Sequence, residues 1–267
     1  MSADASNFPS MELQLISYNG PGFDALANSR LHTLFCVQRQ LDLFDLAMKH
    51  GNKWLKQWKY GKNQLHIPVD LNFKFMKVSE KVQFISNWIK AYVELMPSRA
   101  ESLVIGISGG IDSSVSSTLS AMTGLKTIVI SMPIKQKSSQ HDLSLKHQEW
   151  LIKNFNNVEA ETINLDKLFE TFENTLSKFD SELGLANSRA RLRMTTLYQV
   201  AAATKGIVVG TGNKVEDFGV GFYTKYGDGG VDISPIADCN KTEVWEMGKE
   251  LNILKEIIEA APTDGLW

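Results

Sequence analysis

A chain of 267 residues, 43% hydrophobic and 22% charged, can bury a substantial core and suits one enzyme-sized domain or two small ones. Its formal charge of -2 gives no global electrostatic reason to expect nucleic acid or an anionic membrane as partner, so any phosphate binding must be local. No apolar run reaches the roughly 18 uncharged residues of a membrane span, and the start MSADASNFPSMELQL lacks the basic flank and apolar core of a signal peptide, so the chain reads as cytoplasmic.

Residues 1–75 read as a short N-terminal extension. Their lysine- and aromatic-rich stretch HGNKWLKQWKYGKNQ, His50 to Gln64, has the composition of a nucleic-acid surface. The overall charge favours a solvated helix face with Trp54 and Trp58 packed beneath it. From Val78 to Met96, Val82, Ile85, Ile89 and Val93 recur at helical spacing, with Ser79 as the expected cap and Pro97 as the stop. Three compact apolar runs follow, Leu103 to Ile107, Lys126 to Met132 and Gly206 to Thr211. Helical stretches separate them, over Ser113 to Met122, Gln140 to Asn154, Asp166 to Lys178 and Ser188 to Thr204. Such alternation predicts an α/β domain over 76–267, a Rossmann-like parallel sheet with helices on both faces. Ligands should collect outside the carboxyl ends of its strands. Cys36 and Cys239 have no metal-type spacing and read as reduced thiols. His141 and His147 lack a metal-binding partner and read as structural or solvated.

The first apolar run ends in Ser108-Gly109-Gly110, followed at once by Asp112, Ser113 and Ser114. The glycines allow a sharp strand-to-helix turn whose amides approach a ligand closely, and the helix start adds the positive end of its dipole. Ser108, Ser113 and Ser114 offer hydroxyl donors. The spacing is neither GxxxxGK[ST] nor GxGxxG. Asp112 would repel a phosphate unless a cation lies between them, so its presence calls for Mg²⁺ bridging carboxylate and phosphate oxygens.

The string SGGIDSS resembles the pyrophosphate-binding loop of the N-type ATP pyrophosphatases. Further blocks resemble the ammonia-dependent NAD synthetases: NSRARLRM from Asn187, GTGNKVED from Gly210, GFYTKYGDGGVDISPI from Gly221, NKTEVWEMG from Asn240 and APTDGLW from Ala261. The resemblance implies an adenine nucleotide alpha hydrolase-like fold that joins deamido-NAD and ammonia at the expense of ATP, giving NAD, AMP and pyrophosphate with Mg²⁺ required. Taken residue by residue, it implies that Gly106, Ile107, Ser108, Gly109, Gly110, Ile111, Asp112 and Ser113 cradle the ATP phosphates. Thr211, Lys241, Thr263 and Gln140 would be further ATP contacts, and Arg191, Lys225 and Asp232 contacts to deamido-NAD. Asp112 and Glu216 would hold the metal, with Asp217 as the alternative because EDFGVGFYTK carries one residue more than the family pattern.

Asp228, in the glycine-rich YGDGG, is the candidate proton acceptor or ammonium site. Glutamine-dependent relatives carry an upstream amidase domain with a Glu-Lys-Cys set. Residues 1–75 are too short for one and Cys36 lacks that setting, so free ammonia is the expected nitrogen donor. The family also implies a homodimer that gives Trp88 and Tyr198 a packing role, and a segment past Trp267 that this chain lacks. The alternatives are another ATP pyrophosphatase, GMP-synthetase-like or tRNA-modifying, or a nucleotide-binding module without turnover.

Overall fold

The computed structural model describes residues 73–135 and 138–261, without the side chains of 138–141. The His50 to Gln64 stretch, Cys36, Thr263 and the side chains of Gln140 and His141 lie outside what is described. Helix α1 spans Val78–Leu95, then β1 Ser102–Gly106, α2 Ile111–Met122, β2 Thr127–Ser131, α3 Ser138–Asn154, β3 Val158–Thr162, α4 Asp166–Thr175, α5 Glu182–Ala203, β4 Gly206–Val209, α6 Lys241–Glu250 and α7 Lys255–Ile258. The sheet order is β3-β2-β1-β4 and every pairing is parallel.

The apolar runs behave as strands buried on both sides. Leu103, Ile105, Val129, Ile207 and Val209 face a core shared with α1, α2, α3 and α6. Val104, Ile128, Ile130 and Val208 face the opposite core, against Phe169 of α4 and Met194, Leu197 and Ala201 of α5. Because consecutive strand residues point to opposite faces, a helix layer on each side requires apolar residues at every position.

Three sequence expectations are corrected. β3 was not foreseen: in VEAET only Val158 is buried, so this edge strand has no continuous apolar run to signal it. Ser79 is not the cap of α1; Lys77 precedes the helix, and its N–H donates to the Glu80 carboxylate at 2.9 Å. α5 begins six residues before the expected Ser188, because Ser181 caps it by accepting the Gly184 N–H at 3.1 Å.

His147 is structural. It is fully buried, its Nε2 lies 3.0 Å from Ser117 Oγ, and its ring stacks on Trp150 at 5.6 Å. Burial pushes its pKa down to about 4. Above pH 6.5 both folded and unfolded states are neutral here. As pH falls, the unfolded chain takes a proton that folded His147 refuses until about pH 4, so stability should drop by about 3 kcal/mol at pH 4. Urea unfolding at pH 7 and pH 4.5 checks this; His147→Gln should flatten the dependence, and an equal drop in that variant would contradict the assignment.

Candidate active site

The chain runs outward from β1 to β2 and β3, then returns to place β4 on the other side of β1. The loops leaving β1 and β4 therefore diverge, opening the crevice where open α/β sheets bind ligands. Gly109 has φ of 87°, a conformation that favours glycine, and it turns the chain into α2 with Gly110 at the N-cap. The first-turn N–H groups of α2 have no intrahelical acceptor and face the crevice end.

On the adjoining wall, α6 starts at Lys241 and packs tightly on α2. A Cβ on Gly248 would lie 2.6 Å from Ile111 Cδ1, so glycine here lets the C-terminal half of α6 lie close against the start of α2. Lys241 Nζ consequently donates to Asp112 Oδ2 and, at 2.8 Å, to Glu216 Oε1. Asn213 Nδ2 holds the other Asp112 oxygen at 2.9 Å. Burial raises the pKa of Asp112 and the charge of Glu216 adds to it, and the hydrogen bonds of Lys241 and Asn213 offset this only in part. Burial alone would depress Lys241, but the two carboxylates outweigh it and hold the ammonium charged. Asp217 takes a different place: a Cβ on Gly212 would meet its Oδ2 at 2.1 Å, so its carboxylate lies against the loop backbone. Two carboxylates, one ammonium and a helix N-terminus thus meet at a strand-order reversal.

The sequence profile of the NAD synthase family matches residues 81–267. The NH₃-dependent NAD⁺ synthetase of Carboxydothermus hydrogenoformans is 37% identical over 193 residues, covering 70% of this chain and 76% of that one. The chain belongs to the NAD synthase family. The NH₃-dependent NAD⁺ synthetase of Alkaliphilus metalliredigens is 38% identical over 203 residues, covering 72% of this chain and 79% of its own. Among solved structures, the NMN synthetase of Francisella tularensis superposes with a TM-score of 0.67 at 36% identity, over 72% of this chain and 78% of that chain.

Set out on this NAD synthase fold, the remaining residues fall into three groups. In the β1–α2 loop the exposed positions are Ser108 and Gly110, while Ile107, Gly109 and Ile111 are buried and Gly106 is half-buried. Ser113 and Ser114 do not present hydroxyls to the crevice as expected. Both are buried and donate to the Gly110 carbonyl at 3.1 and 2.9 Å, so they brace the turn. The Ser113 and Ser108 hydroxyls also accept the Ser108 and Gly110 N–H groups at 3.2 Å each. These are rotatable partners that a phosphate oxygen can replace. Thr211, half-buried, follows β4 at the crevice.

The second group joins α5 to the segment after the π-helix Val215–Val220. Arg191 Nε donates to the Lys225 carbonyl at 3.0 Å and Thr224 Oγ1 to Asn187 Oδ1 at 2.8 Å; Lys225 Nζ lies 5.0 Å above the Tyr226 ring. Of the three α5 arginines, Arg193 turns inward, donating to the Met132 carbonyl at 2.9 Å, and burial pushes its pKa down to about 10. Arg189 lies 6.0 Å from the Phe169 ring centroid. Arg191 is therefore the exposed arginine on the loop side.

The third group has its polar atoms engaged within the chain. Asp232 accepts the Tyr198 hydroxyl at 3.0 Å on one oxygen and the Val208 N–H at 2.7 Å on the other, which makes it a clip between α5 and β4. Burial raises its carboxyl and, with the Asp232 charge, pushes the Tyr198 phenol up as well. Asp228 accepts the Thr224 N–H at 3.0 Å, the bond of an aspartate that shapes its own turn. Its side chain still reaches the surface, while the crowding turn and, less strongly, the Glu216 charge raise its carboxyl above the usual range. Asn213 is the site residue that sequence reading missed; its signal was an Asx-type cap between the strand end and the helical turn bearing Glu216.

Proposed function

We propose that the chain is an ATP-dependent amide ligase that converts deamido-NAD and ammonia to NAD, releasing AMP and pyrophosphate. The observation that carries this reading is the meeting of Asp112, Glu216 and Lys241 beside the N-terminus of α2. A carboxylate resists ammonia because its carbon is electron-rich and its leaving group would be oxide. Adenylation removes both obstacles: a substrate carboxylate oxygen attacks the α-phosphorus, pyrophosphate leaves, ammonia attacks the acyl carbon, and AMP departs with that oxygen.

The chain's part is positional and electrostatic. The β1–α2 loop and the α2 amides hold the departing phosphates, and Lys241 supplies a fixed positive charge beside them. Arg191 and Lys225 stand on the loop side, where a pyrophosphate and a carboxylate need cations. Asp228 takes the proton from ammonium, or gathers the cation, beside Lys225.

Asp112 and Glu216 suit Mg²⁺. Their oxygens are hard donors already drawn together by an ammonium, and among the described residues no group of three or more His, Cys, Asp or Glu side chains is placed to hold a metal ion. Two protein carboxylates with phosphates and water completing the shell is the usual Mg²⁺ arrangement. Bound there, the ion would neutralise charge on the phosphates and the departing pyrophosphate.

Three further assignments belong to the same reading. The catalytic unit begins near Met76, and the enzyme works in the cytoplasm; among the described residues no helix is long and apolar enough to cross a membrane. It acts as a homodimer, which the exposed apolar row Leu168, Phe172, Leu176, Phe179 and Leu183 supports. Sedimentation at micromolar concentration should find two copies.

The likeness to an NMN synthetase favours one second reading, in which the acid is the mononucleotide. Incubation with ATP, Mg²⁺ and ammonium separates the two. Deamido-NAD should be turned over faster than nicotinate mononucleotide, with glutamine a poor nitrogen donor; a reversed preference would establish the second reading. In the same assay Asp228→Asn should slow amide formation but not pyrophosphate release, and unchanged amidation would remove its role.

A further inference from the structure

We infer that Asn213 is a positioning residue that fixes the Asp112 carboxylate against the backbone turn carrying Glu216; this rests on the reading of Asp112 and Glu216 as metal ligands. Asn213 is completely buried, so its side chain serves neighbours inside the protein. Its Nδ2 donates to Asp112 Oδ1 across 101 residues of sequence, at 2.9 Å. Its Oδ1 accepts the Val215 N–H at 3.0 Å and the Glu216 N–H at 3.2 Å, the first amides of the π-helix that carries Glu216.

One planar amide therefore links the loop after β4 to the first turn of α2, across the strand-order reversal. Because an amide has its donor and acceptor on opposite arms, the Asp112 carboxylate and the backbone that carries Glu216 cannot shift independently while both arms are engaged. Pinning Oδ1 of Asp112 also leaves Oδ2 as the oxygen turned to the crevice, where Lys241 meets it. Groups that orient ligand carboxylates in this way commonly contribute tenfold or more to metal affinity.

The competing role is purely local, a cap on the π-helix. Asn213→Ser separates the two, because a serine hydroxyl can still accept the Val215 or Glu216 N–H but is too short to reach Asp112. Asn213→Thr does the same with more bulk and serves if the serine variant is unstable. The probe is Mn²⁺ with α,β-methylene-ATP, whose affinity for the full chain is followed by electron paramagnetic resonance, with the thermal midpoint measured alongside.

Asn213→Ser should bind the probe about tenfold more weakly while melting within a few degrees of the parent. Against an Asp112→Ala background the same substitution should change affinity less than twofold, because its effect passes through Asp112. Affinity unchanged in Asn213→Ser, or equal losses in both backgrounds, would overturn the inference while leaving the metal site standing. If Asp112→Ala alone leaves affinity unchanged, the metal assignment falls and the inference falls with it.

Discussion

Asp112→Asn should lower NAD formation about 10³-fold, the scale expected when one preorganised charge-stabilising group is lost from a phosphoryl-transfer site. The amide is nearly the same size, but it removes the negative charge that pairs with Lys241 and can turn an NH₂ towards that ammonium. The fold should tolerate the change. Burial holds the Asp112 carboxyl above its ordinary range, so at neutral pH ionisation of this group costs folded-state stability rather than adding to it. The thermal midpoint should therefore stay within about 3 °C of the parent. Steady-state assay and melting of the same preparation check both halves; activity within tenfold of the parent would contradict the role given to Asp112.

The largest structural effect is expected outside the crevice. Lys81, on α1, has a side chain 6% exposed and pairs with Glu243 of α6, whose side chain is 21% exposed. The Lys81 ammonium also lies 5.3 Å from the Phe73 ring centroid. The other oxygen of Glu243 accepts the Asn240 N–H at 2.7 Å, completing the capping box that starts α6 one residue before Lys241. Lys81→Met would strand the Glu243 charge in a poorly solvated place, a loss of about 3–5 kcal/mol, or roughly 10 °C in Tm for a domain of this size. Adding Glu243→Gln, which keeps the cap and removes the charge, should recover more than half of that. A Lys81→Met cost below about 1 kcal/mol would show that the pair is solvated after all.

How legible each part was in the sequence follows from where its signal lies. β1, β2 and β4 stand out because burial on both faces leaves runs such as LVIGI and GIVVG, with no polar residue to break them. β3 is an edge strand whose side chains are mostly exposed, so VEAET offers neither a run nor a clear alternation. The Asp112 carboxylate was readable as a cation-seeking group from the loop alone. Its meeting with Lys241 was not, because 129 residues separate them and only the packing of α6 on α2 brings them together.

The choice of Glu216 over Asp217 as the partner of Lys241 also depended on backbone geometry. Glu216 and Asp217 lie in the π-helix Val215–Val220, which uses more residues per turn than an α-helix. The backbone bond from Phe222 N–H to the Glu216 carbonyl, 2.8 Å, closes the far end of that segment. Propensity does not reveal a π turn, and the Asx-type signal of Asn213 says nothing of its bond to Asp112, 101 residues away. The serines of SGGIDSS mislead for a related reason. Composition shows hydroxyls at a helix start, whereas only the fold shows that Ser113 and Ser114 are spent on the Gly110 carbonyl.

The most direct test follows one oxygen atom. Deamido-NAD labelled with ¹⁸O in its nicotinate carboxylate is incubated with the chain, ATP, Mg²⁺ and ammonium, and the nucleotide products are weighed by mass spectrometry. Adenylation in the Asp112, Glu216 and Lys241 crevice predicts AMP carrying one ¹⁸O, formed one for one with NAD and pyrophosphate. Unlabelled AMP, or ADP with inorganic phosphate, would contradict it.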